Sequence, residues 1–91
     1  MAKATKILTA EEVRKALDLD FDEMSDEDAL AYSQRASDLI LQRTGKDWGT
    51  AEDLAKQCAE FIVIDWYSRS TDLQQTIDWL LADLQDRRKE E

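Results

Sequence analysis

The sequence predicts an all-α fold, a compact bundle of about four helices with no sheet. Three observations predict it. First, four stretches read as helix starts: Thr9 with Glu12, Ser25 with Asp28, Thr50 with Asp53, and Thr71 with Gln74. In each, a hydroxyl can accept from an orphan backbone N–H, and the residue three positions on can reach back to the cap. Second, apolar residues recur at helical spacing behind each start, and no stretch alternates with the period of a strand. Third, the chain has no Pro, and its only glycines are Gly45 and Gly49, so caps and polar clusters supply the breaks.

The first helix is predicted over Ala10–Leu17, with Ala10, Val13, Ala16 and Leu17 on its buried face. Leu8 before the cap and Val13 after it are spaced for a hydrophobic staple. An acidic link, Asp18 to Met24, follows. The second helix is predicted over Asp26–Thr44, ended by Gly45 in a left-handed turn. Ala29, Tyr32, Ala36, Leu39, Ile40 and Arg43 form its stripe. Ser33 and Ser37 beside that stripe would let a neighbouring helix approach closely.

Residues 45–49 form a short connection, and the third helix is predicted from Ala51 to about Arg69. Ala51, Leu54, Cys58, Phe61 and Ile62 share a face, with Ala55 and Trp66 at its edge. Glu52, Asp53, Lys56 and Glu60 make a solvated back in the first half. In the second half Val63, Ile64 and Tyr67 occupy that back. A helix apolar all round is buried all round, so this half is either the centre of the fold or part of an interface. The last helix is predicted from Asp72 to about Lys89, with Leu73, Ile77, Leu80, Leu81 and Leu84 as its stripe. Val13, Leu17, Ile40, Leu54, Phe61, Ile62, Leu80 and Leu84 are the expected central contacts.

Residues 1–91 read as a single helical domain. A chain this short buries only about 60–65% of its unfolded surface. Its core is thin, and such chains are often completed by a partner or by self-assembly. The net charge is −9. Residues 21–40 hold six acids against the single base Arg35, whereas residues 1–20 balance four against four. Phosphate binding requires a concentrated basic surface, and the sequence has none, so duplex DNA should be repelled at low salt. Acidity that keeps a small domain soluble is the simpler reading, beside a designed electrostatic role. The longest apolar run, Phe61-Ile62-Val63-Ile64, is too short to span a bilayer. No apolar signal region follows the basic N-terminal residues, so a cytoplasmic site of synthesis is expected.

Asp18-Leu19-Asp20-Phe21-Asp22 resembles the opening of a calcium loop, with oxygens at alternate positions. Glu23 stands where the sharp turn requires Gly, and Ala29 where a bidentate Glu should close the site, so a solvated connector is expected. Cys58 lies mid-helix on an inner face and the chain has no His, which describes a packed thiol rather than a nucleophile. No residue is nominated as catalytic, cofactor-binding or metal-ligating, and the chain reads as a non-enzyme. Asp65 falls inside the apolar stripe, with Arg69 four residues on. The pair is either a salt bridge near the helix end or a polar specificity point within an interface. Trp66 fits the core, and Trp48 can cover the bundle end from its loop. Trp79 falls opposite the leucine stripe, among Asp72, Gln75, Asp83 and Asp86, and is either a lone surface aromatic or an anchor for a partner, the second being favoured. The candidate interface is therefore Val63, Ile64, Asp65, Tyr67, Arg69 and Trp79.

The order of these segments resembles a known family. Ile7-Leu8-Thr9-Ala10-Glu11-Glu12-Val13-Arg14-Lys15-Ala16-Leu17 is similar to the first helix of the small helical head–tail connector, or neck adaptor, proteins of tailed bacteriophages. Asp28-Ala29-Leu30 after an acidic link, continuing through Arg35-Ala36-Ser37-Asp38-Leu39-Ile40 to Thr44-Gly45, resembles the family's second helix. Residues 55–59 followed by Ile64-Asp65-Trp66-Tyr67-Ser68-Arg69 resemble its third, which tends to end in an aromatic pair near an Arg. The resemblance covers about residues 7–70 and does not extend to the C-terminal helix, 72–89. It implies a structural virion protein of the neck, made in the host cytoplasm. Copies would form a ring under the portal protein and present a surface to a tail or neck completion protein. DNA would pass through the channel without specific binding, no cofactor or membrane would be involved, and an acidic lumen would let DNA slide. The same composition also describes a small acidic phage-encoded inhibitor that occupies a nucleic-acid site on a host protein. An enzyme using carboxylates alone is the third class, although no acid pair here has a distinctive setting.

Overall fold

The computed structural model describes residues 4–68 and 73–90, the side chains of 89 and 90 excepted. Its helices are α1 (Ala10–Leu17), α2 (Asp26–Thr44), α3 (Asp53–Ser68) and α4 (Gln74–Glu90), and no strand occurs among the described residues. The protein is an all-α bundle.

Local chemistry sets the helix ends. At α1, Thr9 Oγ1 accepts from the Glu12 N–H at 3.1 Å, and the Thr9 N–H donates to Glu12 Oε1 at 3.0 Å, a complete capping box. Leu8 and Val13 on either side of the cap are both buried. Asp18 ends the helix with φ 57°, a left-handed conformation that a short polar side chain tolerates. At α2, Ser25 Oγ accepts from the Asp28 N–H at 3.2 Å, and Gly45 (φ 77°) closes the other end by donating to the Leu41 carbonyl at 2.7 Å. The Trp48 indole N–H donates to buried Thr44 Oγ1 at 2.9 Å, so Trp48 does cover the bundle end from its loop.

α3 departs from expectation at its start. It begins at Asp53, and Glu52 rather than Thr50 takes the capping position, its carboxylate accepting from the Leu54 N–H at 3.2 Å. Gly49 (φ 69°) and the turn through Ala51 use up the residues that the Thr50 cap would have needed, and Ala51 is exposed rather than on the buried face. The proposed Thr71 cap and Arg69 lie outside the described residues.

α3 packs against each of the other helices, while α1 and α4 do not meet among the described residues. α1 and α4 thus flank the α2–α3 pair. Gln85 donates to the Arg43 carbonyl at 2.6 Å and Arg87 pairs with Glu52 at 2.7 Å. These contacts put the end of α4 beside the end of α2 and the start of α3, so α4 runs antiparallel to α3. Val13, Ile40, Ile62 and Leu84 are buried at the centre as expected. Leu17, Leu54, Phe61 and Leu80 are only partly buried. The inner line of α4 is Ile77, Leu81 and Leu84, which turns Leu80 to the flank.

A fifth packed element has no helix. Residues 4–8 run along α2, with Ala4, Ile7 and Leu8 buried. Ser33 Oγ accepts from the Leu8 N–H at 3.2 Å and donates to the Leu8 carbonyl at 2.7 Å. Ser37 Oγ accepts from the Ile7 N–H at 2.9 Å, and Asp38 accepts from the Ala4 N–H at 2.9 Å. The small side chains of α2 therefore admit a non-helical strap, where the sequence suggested a neighbouring helix.

Candidate functional site

The expected interface residues divide by depth. Val63 is fully buried by its own subunit, where α3 packs against the other helices, which removes it from the candidate interface. Ile64 is half-buried. Asp65 is half-buried too, and its Oδ1 is buried with no hydrogen-bond partner among the described residues. Tyr67 remains 46% exposed and Trp79 62% exposed.

Two outer surfaces follow. On the first, α2 and α3 present an aromatic cluster. Tyr67 meets Tyr32 edge-on, with ring centroids 6.3 Å apart at 73°. The Arg35 guanidinium lies 4.8 Å over the Trp66 ring, a cation–π contact. Trp66, expected in the core, is partly buried at its edge and is covered by Arg35. Beside Arg35, an open groove is lined by Lys6, Glu27, Leu30, Ala31, Gln34 and Arg35. The sequence placed Tyr32 in the α2 stripe and gave Lys6 and Arg35 no part in a site. Arg35 did carry a signal, as the one base in the acidic stretch 21–40.

The second surface is the outer face of α4. Ile77, Leu81 and Leu84 turn inward, so helical spacing sends Gln75, Trp79, Ala82, Asp83 and Asp86 outward, and each of them is exposed. Trp79 and Tyr67 stand on different helices, and Trp79 has no ring partner among the described residues. A third exposed aromatic, Phe21 (64%), was not singled out from sequence; Arg14 covers it at 5.0 Å while also pairing with Asp26 at 2.6 Å. That arrangement fastens the acidic link to α1 and the start of α2.

The titratable groups are structural in setting. Burial pushes the Cys58 thiol up to about 12, so it stays protonated and unreactive at neutral pH. Glu12 is held below its ordinary value, first by its hydrogen bond to Lys56 at 2.9 Å and then by the capping bond from Thr9. Glu60 is pushed upward by burial, with the Glu12 carboxylate adding to the effect. Asp47 is lowered mainly by the Thr5 N–H at 2.9 Å, which ties the strap to the 45–49 loop. In the acidic link, Glu23 Oε1 accepts from the Asp20 N–H at 3.1 Å, a local turn contact. No group of three or more metal-ligating side chains converges among the described residues, and no described helix is long and apolar enough to cross a membrane.

The fold and its surfaces define a small all-α domain with exposed aromatic groups on α3, on α4 and in the acidic link. No protein-family model, curated protein or solved structure matches the chain.

Proposed function

We propose that this protein is a non-enzymatic assembly subunit, a head–tail connector of a tailed phage that forms a ring under the portal and extends the DNA channel to the tail. One observation carries the reading: Trp79 is 62% exposed on the outer face of a helix whose inner face is fully used by the core. Exposing an indole forgoes the free energy of burying it, and tryptophans are enriched among the residues that dominate protein contacts. The resemblance of residues 7–70 to neck adaptors supports the choice of assembly, and the acid-rich surface suits a wall along which DNA slides. Its partners would be other copies of itself, the portal protein and the next neck or tail component.

The test is addition of purified protein to portal-bearing capsids, followed by sedimentation and imaging of the neck. Stoichiometric binding at the portal vertex is expected. The net charge of −9 and the acids at the start of α2 favour one other reading, an acidic inhibitor of a nucleic-acid-binding host protein. Indifference to portals combined with tight one-to-one binding to a basic nucleic-acid-processing protein would replace the connector with that inhibitor.

A further inference from the structure

We propose that the outer face of α4 docks into the α2 groove of a second copy of this chain, with Trp79 entering between Lys6 and Arg35. The inference rests on the assembly reading in taking Trp79 as a docking group, and it deepens that reading by naming the surface that receives it. Two copies at −9 each repel one another at long range, so close approach is favoured only where local charge is reversed. The groove is such a place. Its lining includes two cations, Lys6 and Arg35, against the single acid Glu27. Lys6 and Arg35 are both exposed and form no ion pair among the described residues.

The outer face of α4 has the opposite character. Asp83 and Asp86 share this face with Trp79, and neither is in a salt bridge among the described residues. Leu30 and Ala31 give the groove an apolar floor for an indole, while Lys6 and Arg35 meet the flanking aspartates. Arg35 already stacks on Trp66, so its charge is presented on a fixed support. The two surfaces lie on different helices and are unlike each other. Such a contact is heterologous: each copy that docks its α4 face leaves its own groove open for the next, and the series closes into a ring or continues as a filament.

Ala31→Glu probes the groove and Trp79→Ala the α4 face; both positions are exposed, so folding should be retained, with circular dichroism as the control. Light-scattering mass is read over about 5 to 500 µM, the range in which a weak contact saturates. The wild-type mass should rise with concentration. Each variant alone should weaken self-association by about 30-fold or more, as loss of a dominant contact does. Mixed together, the two variants retain one intact groove and one intact α4 face, on different molecules. They should form a one-to-one dimer and nothing larger. A wild-type mass fixed at one copy, a mixture that stays monomeric, or variants that assemble like wild type would each overturn the proposal. Lys6→Glu provides a second groove variant that leaves α2 unchanged. The capsid experiment separates the two readings: if wild type and both variants dock on portals equally well, the connector stands and this surface pairing falls.

Discussion

The strap at residues 4–8 and the outer face of α4 handle their polar and apolar groups in opposite ways. In the strap, Ile7 and Leu8 are buried, and their backbone amides, along with that of Ala4, are received by side chains of α2. On α4, Trp79 is left in solvent, and the aspartates beside it are not in salt bridges among the described residues. A segment without repetitive structure needs outside partners for its backbone, so it is ordered only where a neighbour supplies them. A helix satisfies its own backbone, so it can hold an unused side chain in place at little cost. The strap is therefore built for stability, and the α4 face can be spared for a partner.

The largest expected effect lies in the strap. Leu8→Ala removes a buried side chain that also forms half of the α1 staple, and it should cost about 2–5 kcal/mol. A urea denaturation midpoint close to wild type would mean that the strap is peripheral, and the comparison would fail. Ser33→Ala is the next test. It deletes one hydroxyl that both accepts from and donates to the Leu8 backbone, leaving a buried N–H and carbonyl unmet. The expected loss is about 1–3 kcal/mol, with faster hydrogen exchange at Leu8 and Ile7. Slow exchange at those amides in the Ser33→Ala protein would show that something other than Ser33 orders the strap.

Much of the helical scaffold was legible in the sequence because its signals are local. The Thr9–Glu12 box, the Ser25 cap and the Gly45 stop each act within one turn, so spacing suffices to read them. The strap was not legible, because Ser33 and Ser37 have the same spacing whether a helix or a non-helical segment lies against them. The start of α3 was misplaced for a related reason: Thr50 and Glu52 are both capping residues, and the left-handed Gly49 turn decides between them. Of the candidate interface residues, Trp79 and Tyr67 are exposed, whereas Val63 is buried because three helices meet around α3, which spacing along one helix does not report. The groove beside Arg35 joins residues 6 and 35, a pairing that no local pattern reports.

A smaller effect tests how α1 is fastened to the central helix. Glu12→Gln keeps a carbonyl for the capping bond from Thr9 but removes the charge that pairs with Lys56. The pair is partly exposed, so the loss at neutral pH should be only about 0.5–1 kcal/mol. Its pH dependence is more diagnostic. The Glu12 pKa is lowered in the fold from an ordinary 4.5, so its stabilisation is present above that value and fades as pH falls through the folded value. Glu60 has the opposite sign: its pKa is raised, so protonation in acid relieves a cost of burial. The gap in melting temperature between wild type and Glu12→Gln should narrow on acidification below 4.5. A gap that stays constant would assign the effect to packing rather than to charge.

The smallest stability effect belongs to Trp79→Ala, and its smallness is what gives the comparison content. The indole is 62% exposed and has no ring partner among the described residues. Truncation should therefore remove little buried surface, and Ala is the better helix former by a few tenths of a kcal/mol. The two effects nearly cancel, and the denaturation midpoint should stay within about 0.5 kcal/mol of wild type. Self-association should fall sharply in the same protein, since a large aromatic at a contact contributes far more there than in an isolated fold. Leu8→Ala should behave in the reverse way, losing stability while the folded fraction keeps its α4 face. A Trp79→Ala protein destabilised by more than about 1 kcal/mol would show that the indole packs within the subunit. The contrast between strap and α4 would then dissolve, because both regions would be serving the core.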